Sequence, residues 1–330
     1  MRHGFPGLVS IALAAVAGVL FVTSVHSAKP GGGAADPCAL ATDFPAFAFD
    51  VASAKSRTIY LADSTGKCIR VLTSGRQPKF SYPVDGTSNK GRVVWRDSGS
   101  VIKAADFTVA PGNTLTGVTV RTLVSNAGCC LHDLSRDGST LYFSVSDSVL
   151  AKLDVAGTGG PTNLFASDTD WFYQMGSING DGTLLFATKM GYGANDGASR
   201  LVKVNLQTGP AAETVLREWR PQAGFGANPF WPSADPHSDR IAFHEYVLNS
   251  NNCTPLTVTD YGGVETEDTK NLAVERYGRD PTWVGGRIVM QRRSPMNSSG
   301  TCSSTTSLVE VILGSGQETV LASGHYPDGR

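Results

Sequence analysis

The fold is decided by the stretch Asp137-Gly138-Ser139-Thr140-Leu141-Tyr142-Phe143, because close variants of it recur along the chain. Its glycine supplies the positive φ that a tight β-turn needs, and the apolar residues after it are typical of a strand. The corresponding strands begin with arginine or threonine and comprise residues 92–95, 140–143, 183–186, 240–243 and 287–290. This repetition predicts a series of similar hairpins.

Each hairpin is followed by two further β-rich runs. The clearest examples are residues 201–206 with 213–216, and residues 308–311 with 318–322. Four antiparallel strands repeated around a ring form the blades of a β-propeller. From Asp43 to Gly324 there are 282 residues, so six units have a mean period of 47, within the roughly 40 to 50 residues of propeller repeats. The sequence therefore predicts an all-β, six-bladed propeller.

The two ends of the chain complement each other. Residues 324–330 read as a first strand and its turn, with no second strand after them. Residues 44–49, 58–63 and 69–73 read as the second, third and fourth strands of a blade that lacks a first strand. We therefore expect one blade to be shared between the N- and C-termini, which hides sheet edges that would otherwise invite aggregation.

Residues in this closing blade carry a family resemblance. Residues 326–330, and residues 59–66 followed by 71–73, resemble the WD-like repeats of the TolB family. The resemblance covers nearly the whole chain after residue 27 and implies a TolB-like propeller. TolB-like propellers include oligogalacturonate lyases, which use a histidine-bound metal ion near the central channel. The resemblance thus also implies a candidate enzymatic function.

The N-terminus is typical of a secretory signal, because Arg2 precedes an apolar run from Gly7 to Val25. We predict a signal peptide over residues 1–27, a linker over 28–42 and the propeller domain over 43–330. The alternative is an uncleaved membrane anchor, since the apolar run approaches the roughly 20 residues that span a bilayer. Both interpretations place the propeller outside the cytoplasm, in the periplasm or secreted.

Charge is balanced, with 28 Lys and Arg against 29 Asp and Glu and a formal net charge of −1. Without a basic run, the sequence offers no electrostatic basis for binding nucleic acid, and membrane association is expected only if the signal is retained. The high glycine content, with charged residues at only 17%, favours short strands and tight turns over helical bundles. A monomer is expected.

The chain has six cysteines, and disulfides persist in an exported protein. Cys253 and Cys302 occupy similar places in adjacent repeats, so we predict a bridge between them. Cys38 with Cys68 is the next candidate pair. The adjacent residues Cys129 and Cys130 would then form a vicinal bridge or stay as thiols.

The sequence lacks the usual catalytic motifs, including Gly-x-Ser-x-Gly, His-Glu-x-x-His and Cys-x-x-Cys. The candidates for chemistry are His132 and Asp133 of the third blade and His325 of the closing blade, which are predicted on innermost strands. They could converge on the channel and hold one divalent metal ion or move a proton. In the alternative interpretation, His132 bonds a neighbouring blade and His325 lies at the surface.

Aromatic residues on the predicted first strands are the other candidates. Phe80, Trp231 and Trp283 could stack on a sugar or grip a peptide, although such side chains more often pack between blades. Two long polar loops, residues 247–254 and 294–306, could take part in recognition.

Two functions remain open at this stage. The first is an exported propeller without a cofactor that binds a protein or peptide partner through one face or its channel mouth. The second is a carbohydrate-active enzyme resembling oligogalacturonate lyases, with a histidine-bound divalent metal ion at the channel mouth.

Overall fold

The structure is a computed structural model of the chain. It describes residues 45–52, 57–84, 89–97, 100–111, 114–128, 131–146, 149–166, 170–220, 227–247, 256–267, 278–293, 304–313, 315 and 317–329. All of them belong to one compact unit, Pro37–Arg330, and the other unit, Met1–Asp36, lies outside the described residues. The predicted signal peptide and linker therefore stay predictions.

The described strands form six antiparallel sheets of four strands each. The strands of blades 1 to 3 that follow one another in the chain are β1 (Phe47–Ala52), β2 (Arg57–Ala62), β3 (Cys68–Ser74), β4 (Arg76–Ser81), β5 (Lys90–Arg96), β6 (Ile102–Ala110), β7 (Thr114–Val124), β8 (His132–Leu134), β9 (Thr140–Ser146), β10 (Val149–Asp154) and β11 (Thr162–Ala166). Blade 1 consists of β1 to β3 and a strand from the C-terminus, blade 2 of β4 to β7 and blade 3 of β8 to β11.

Blades 4 to 6 follow the same plan. Their strands, and the C-terminal strand of blade 1, are β12 (Trp171–Ile178), β13 (Leu184–Gly191), β14 (Ser199–Asn205), β15 (Gly209–Trp219), β16 (Ala227–Ala234), β17 (Arg240–Val247), β18 (Leu256–Asp260), β19 (Glu265–Glu267), β20 (Gly278–Val284), β21 (Arg287–Arg293), β22 (Ser304–Ile312), β23 (Gln317–Ser323) and β24 (His325–Gly329). A short 3₁₀ helix, Gly193–Asn195, connects β13 to β14. The innermost strands, β24, β4, β8, β12, β16 and β20, contact one another in this order around a ring.

The predicted closure through the two termini is confirmed, because β24 pairs with β1 and completes the sheet of blade 1. One detail of the prediction is wrong. Asp328 and Gly329 do not form a turn but lie within β24, where they pair with Ala48 and Phe47. This placement makes Asp328 part of the innermost ring of strands.

The hairpin signals between first and second strands are confirmed in blades 3 and 4. Gly138 and Gly182 have φ values of +71° and +74°, the left-handed conformation that glycine adopts without steric cost. Asp137 and Asp181, which precede these glycines, accept hydrogen bonds from the backbone and hydroxyl groups of the residues two positions later. Each of these two carboxylates therefore stabilises its own turn through local bonds.

The hydrophobic core lies between neighbouring sheets. One cluster combines Ile59 and Leu61 of blade 1 with Trp95 and Phe107 of blade 2, and another combines Val258 of blade 5 with residues of blade 6. Large apolar side chains fill the space between sheets that diverge from the centre of the ring. Across the part of the chain that the structure describes, no helix is long and apolar enough to span a membrane.

Candidate functional site

The innermost strands carry an unusual backbone feature. Within the described ranges, the non-glycine residues with positive φ, between 48° and 53°, are Gln77, Trp231, Asp280 and Tyr326. Each is followed by proline, and the register of its strand shifts at this point. A left-handed conformation is uncommon outside glycine, and a bulge redirects the side chain that it carries. Since the feature recurs in four blades, it is a regular structural element of the strands around the central channel.

These four residues line a cavity of about 60 Å³ at the centre of the ring. The other two blades contribute His132 and Met175, so every blade has a residue in the cavity wall. At roughly 10 to 15 Å³ for each water position, the cavity has room for a few water molecules.

A ring of hydrogen bonds joins the blades beside this cavity. Short polar side chains on the innermost strands accept a backbone N–H group of the next blade. The bonds are Asp328 Oδ2 with Phe80 N (2.7 Å), Asp133 Oδ2 with Ile178 N (2.7 Å), Ser177 Oγ with Ala234 N (3.1 Å) and Thr282 Oγ1 with Gly329 N (2.9 Å). Each bond satisfies a buried donor that would otherwise cost about 1 to 3 kcal/mol. Asp133 is therefore a structural residue.

Blade 2 places a lysine at the corresponding position of the ring. Lys79 Nζ lies 3.0 Å from Asp328 Oδ1 and 3.7 Å from Asp133 Oδ1. Both carboxylates are buried, whereas about a quarter of the lysine side chain is exposed. The single cation thus bridges the acidic residues of its two neighbouring blades.

His132 occupies the place that proline takes in the four bulged strands. Its side chain is only 3% exposed, and Nε2 lies 2.8 Å from the backbone oxygen of Gln77 in blade 2. The imidazole of His132 therefore links blades 2 and 3, as in the alternative interpretation of the sequence. His132 lines the cavity while its Nε2 is already bonded to the Gln77 backbone oxygen.

A second set of buried polar side chains lies one strand further out. Each belongs to the second strand of its blade and lies two residues beyond the one that pairs with the hydrogen-bonding position of the innermost strand. That innermost position is held by Asp328, Lys79, Asp133, Ser177, Ser233 and Thr282 in blades 1 to 6. The set comprises Asp50, Arg96, Ser144, Thr188, His244 and Gln291. Asp50 supports the bulged backbone at Gln77, and Arg96 supports the chain that enters blade 3, whereas Ser144 and Gln291 bond to backbone oxygens of their own blades.

The charged members of this second set have shifted pKa values. Asp50 Oδ2 accepts the Gln77 N–H at 2.9 Å, and Oδ1 lies 2.8 Å from Arg57 Nη1. Burial raises the pKa of Asp50 to about 6, although the Gln77 hydrogen bond and the charge of Arg57 act to lower it. Arg96 donates to the backbone oxygen of Gly128 at 2.7 Å. Burial and the charge of Arg76 lower the pKa of Arg96 to about 10.

The aromatic candidates have different environments. Phe80 and Trp283 are each 1% exposed and belong to clusters between blades. Trp283 Nε1 also donates to the backbone oxygen of Ser233 at 2.9 Å, so this side chain presents no surface to a ligand. Trp231 does line the central cavity, with its ring centroid 5.0 Å from that of His244.

The predicted convergence of His132 and His325 does not occur in the cavity wall. His325 pairs with Asp50 across the first two strands of blade 1, and its ring centroid lies 6.4 Å from that of Tyr326. It is Tyr326, one residue later, that reaches the cavity. Among the described residues, no group of three or more His, Cys, Asp or Glu side chains could hold a metal ion.

Several predicted features cannot be compared with the structure. Cys253, Cys302 and Cys38 lie outside the described residues, as do most of the two long polar loops. Cys68, on β3, is disulfide-bonded, and its partner lies outside the described residues. The predicted pairings therefore stay predictions.

Sequence analysis missed Met175 and three bulged residues of the cavity wall, Gln77, Asp280 and Tyr326. For the bulged residues a signal was available. The signal was present as four residue–proline pairs at corresponding places on the innermost strands. Aligning the repeats on proline instead of Asp-Gly would have found them.

Comparisons with known proteins find likeness at the level of the fold. No family model and no curated protein sequence matches the chain. Similar solved structures include TolB from Acinetobacter baumannii, with 18% identity over 69% of this chain and 52% of that chain and a TM-score of 0.46. They also include an oligogalacturonate lyase in complex with manganese, with 14% identity over 86% of this chain and 74% of that chain and a TM-score of 0.48.

A third similar structure is a periplasmic gluconolactonase from Pseudomonas aeruginosa, with 13% identity over 86% of this chain and 97% of that chain and a TM-score of 0.49. The chain spans about half the length of the TolB structure. At these identities the likeness is one of fold.

Proposed function

On this TolB-like, six-bladed fold, we propose an exported, non-catalytic module that binds a protein or peptide partner at the mouth of its central cavity. One observation carries the proposal. At and beside the cavity, His132, Asp133 and Asp328 are committed to bonds between blades, whereas aromatic surface from Trp231 and Tyr326 is turned into the cavity wall. The proposed location is the periplasm or the outside of the cell.

The committed bonds weigh against a catalytic role for the same groups. Asp133 and Asp328 each hold a backbone N–H group of the next blade, and His132 holds a backbone oxygen. A proton transfer through any of them would disturb a contact that keeps two blades together. Breaking such a buried contact costs about 1 to 3 kcal/mol, so these residues are better suited to rigidity than to chemistry.

The aromatic surface favours a peptide or protein. Trp and Tyr are enriched among the residues that contribute most to binding partners. On blade 4, Phe172 and Tyr192 stack with ring centroids 4.5 Å apart, and Tyr192 is 41% exposed. Phe172 lies three residues before Met175 of the cavity wall, at the same end of β12. The cavity and this aromatic pair therefore lie near the same face of the ring.

Selection of peptides from a random phage-displayed library on the purified protein tests the proposal. Peptides that are enriched would be synthesised and their affinities measured by calorimetry. We expect Trp231→Ala and Tyr326→Ala each to weaken binding by at least about tenfold. The control is Val320→Ala, since Val320 is 62% exposed on β23 and lies outside the cavity.

Two results would overturn the proposal. One is a peptide affinity that neither aromatic variant changes, which would show that the peptide binds away from the cavity mouth. The other is manganese-dependent cleavage of an oligogalacturonate that is lost in His132→Ala while the variant keeps its circular dichroism spectrum.

A further inference from the structure

A second cavity lies at the opposite end of the innermost strands, where first strands turn into second strands. Its volume is about 610 Å³, and blades 2 to 5 contribute to its wall. The lining residues that matter for its chemistry are Tyr82, Arg136, Asp137, Tyr142, Asp181 and His237. Cavities of roughly 300 to 1,000 Å³ are typical of small-molecule sites in proteins.

The hydroxyl group of Tyr142 is the first indication of a ligand. Tyr142 lies on β9, is 9% exposed and lines the cavity, yet its hydroxyl bonds to none of the described residues. A Cβ atom at Gly182 would lie 4.0 Å from this hydroxyl, which places it beside the turn of blade 4. Burial, together with the charges of Asp133 and Asp137, raises the pKa of Tyr142. The group is therefore a protonated donor whose bonding capacity is left for an occupant.

Arg136 supplies a fixed cation at the rim of the cavity. Its Nη1 lies 3.2 Å from the backbone oxygen of Pro236 and its Nη2 lies 3.3 Å from Nδ1 of His237. These bonds carry the side chain from blade 3 to the turn of blade 5. A guanidinium group has five N–H donors, so three remain for a ligand.

Two carboxylates balance this cation. Hydrogen bonds from Thr183 lower the pKa of Asp181. For Asp137, burial acts to raise the pKa, but hydrogen bonds from Ser135 and Ser139 outweigh it, and the pKa is lowered. Thr183 bonds to Asp181 through Oδ1 alone, which leaves acceptor capacity on this carboxylate for a ligand.

The combination of groups selects one class of ligand. A strongly anionic ligand would be repelled by the two ionised carboxylates, and a cationic ligand would be repelled by Arg136 at the rim. An uncharged polyol avoids both penalties, because neighbouring hydroxyl groups can donate to Asp181 while they accept from Arg136 and Tyr142. We propose that this cavity binds a neutral saccharide of about two sugar units, with Tyr142, Arg136 and Asp181 as its hydrogen-bonding residues.

The saccharide site is separate from the proposed peptide site, since the two cavities lie at opposite ends of the innermost strands. Trp231 and Tyr326 have no part in it. Failure of one proposal therefore leaves the other standing, and each has its own variants.

Saturation-transfer NMR with the purified protein and millimolar cellobiose, maltose or lactose tests the site. We expect transfer to at least one of the three disaccharides, followed by a titration that yields its dissociation constant. Tyr142→Phe keeps the ring and removes only the hydroxyl, and it should weaken binding about fivefold. Arg136→Gln and Asp181→Asn should each weaken it about tenfold or more.

Matched controls separate this site from general effects. Tyr192→Phe and Arg220→Gln alter an exposed tyrosine and an exposed, hydrogen-bonded arginine outside the cavity, and both should leave the affinity unchanged. The proposal fails if none of the three disaccharides receives saturation, or if the controls weaken binding as much as the cavity variants. It also fails if galacturonic acid or glucosamine binds with this variant pattern in place of the neutral sugars.

Discussion

At one end of the innermost strands, Asp133 and Asp328 accept backbone N–H groups of the next blade. At the other end, the Tyr142 hydroxyl bonds to no described residue, and Asp181 has acceptor capacity left for a ligand. The first end encloses about 60 Å³ and the second about 610 Å³. The same type of side chain thus has a structural use at one end and bonding capacity to spare at the other.

The difference follows from the position of each group along its strand. Near the bulges, adjacent innermost strands approach closely enough for a short side chain to reach the next backbone. At the turns, Asp137 and Asp181 bond within their own hairpins. The bonds that cross between blades there are made by other groups, such as Ser81 and Arg92 of blade 2 with backbone oxygens of blade 3. Predictions about stability should therefore differ sharply between the two ends.

The largest effect is expected from Asp328→Ala. The substitution leaves the Phe80 N–H without an acceptor and removes the partner 3.0 Å from Lys79, which should lower the free energy of unfolding by about 4 kcal/mol. Urea denaturation measures this change. Asp328→Asn keeps an acceptor for Phe80 and should recover part of the loss. A loss below about 1 kcal/mol would show that the ring of bonds does not stabilise the closing blade.

The second prediction concerns pH at the same end. Because the pKa of Asp50 is raised from 3.8 to about 6 in the folded state, the folded protein binds more protons than the unfolded chain between these values. Stability from this group is therefore present at low pH and is lost as pH rises through about 4 to 6, by about 3 kcal/mol in total. Above pH 6 its contribution is level.

Asp50→Asn isolates this contribution from the other groups that titrate. Urea denaturation of both proteins from pH 4 to pH 7.5 gives the difference in unfolding free energy at each pH. We expect the unfolding free energy of the variant, relative to that of the wild type, to increase as pH rises to about 6. Above pH 6 the difference should stay constant. A difference that is flat over the whole range would mean that the Asp50 carboxyl has an ordinary pKa.

Much of this architecture could be predicted from local signals. Asp-Gly turns, the repeat period and the complementary termini depend on residues close together in the chain, and they gave six blades and the shared closing blade. Reading Asp328-Gly329 as one more turn was the error, because the dipeptide is the same whether it lies in a hairpin or inside a strand. Only the pairing of β24 with β1 distinguishes the two.

The sites were harder to predict, because their bonds join residues far apart in sequence. Asp133 bonds a residue 45 positions later, and Asp328 bonds one 248 positions earlier. Such a bond depends on the register of two blades, which no local pattern encodes. His132 was found because histidine is rare and chemically conspicuous, whereas Tyr142 was recognised only as an apolar residue of a second strand.

The smallest effect is expected at the open end, from Tyr142→Phe. Since the Tyr142 hydroxyl bonds to no described residue, removing it leaves no hydrogen-bond partner unsatisfied. The unfolding free energy should therefore change by less than about 1 kcal/mol, and the variant should be equal to or more stable than the wild type. Urea denaturation at pH 7.5 measures the change. A loss of about 2 kcal/mol or more would mean that the hydroxyl is already held within the protein. That result would give the two ends the same structural use of polar groups.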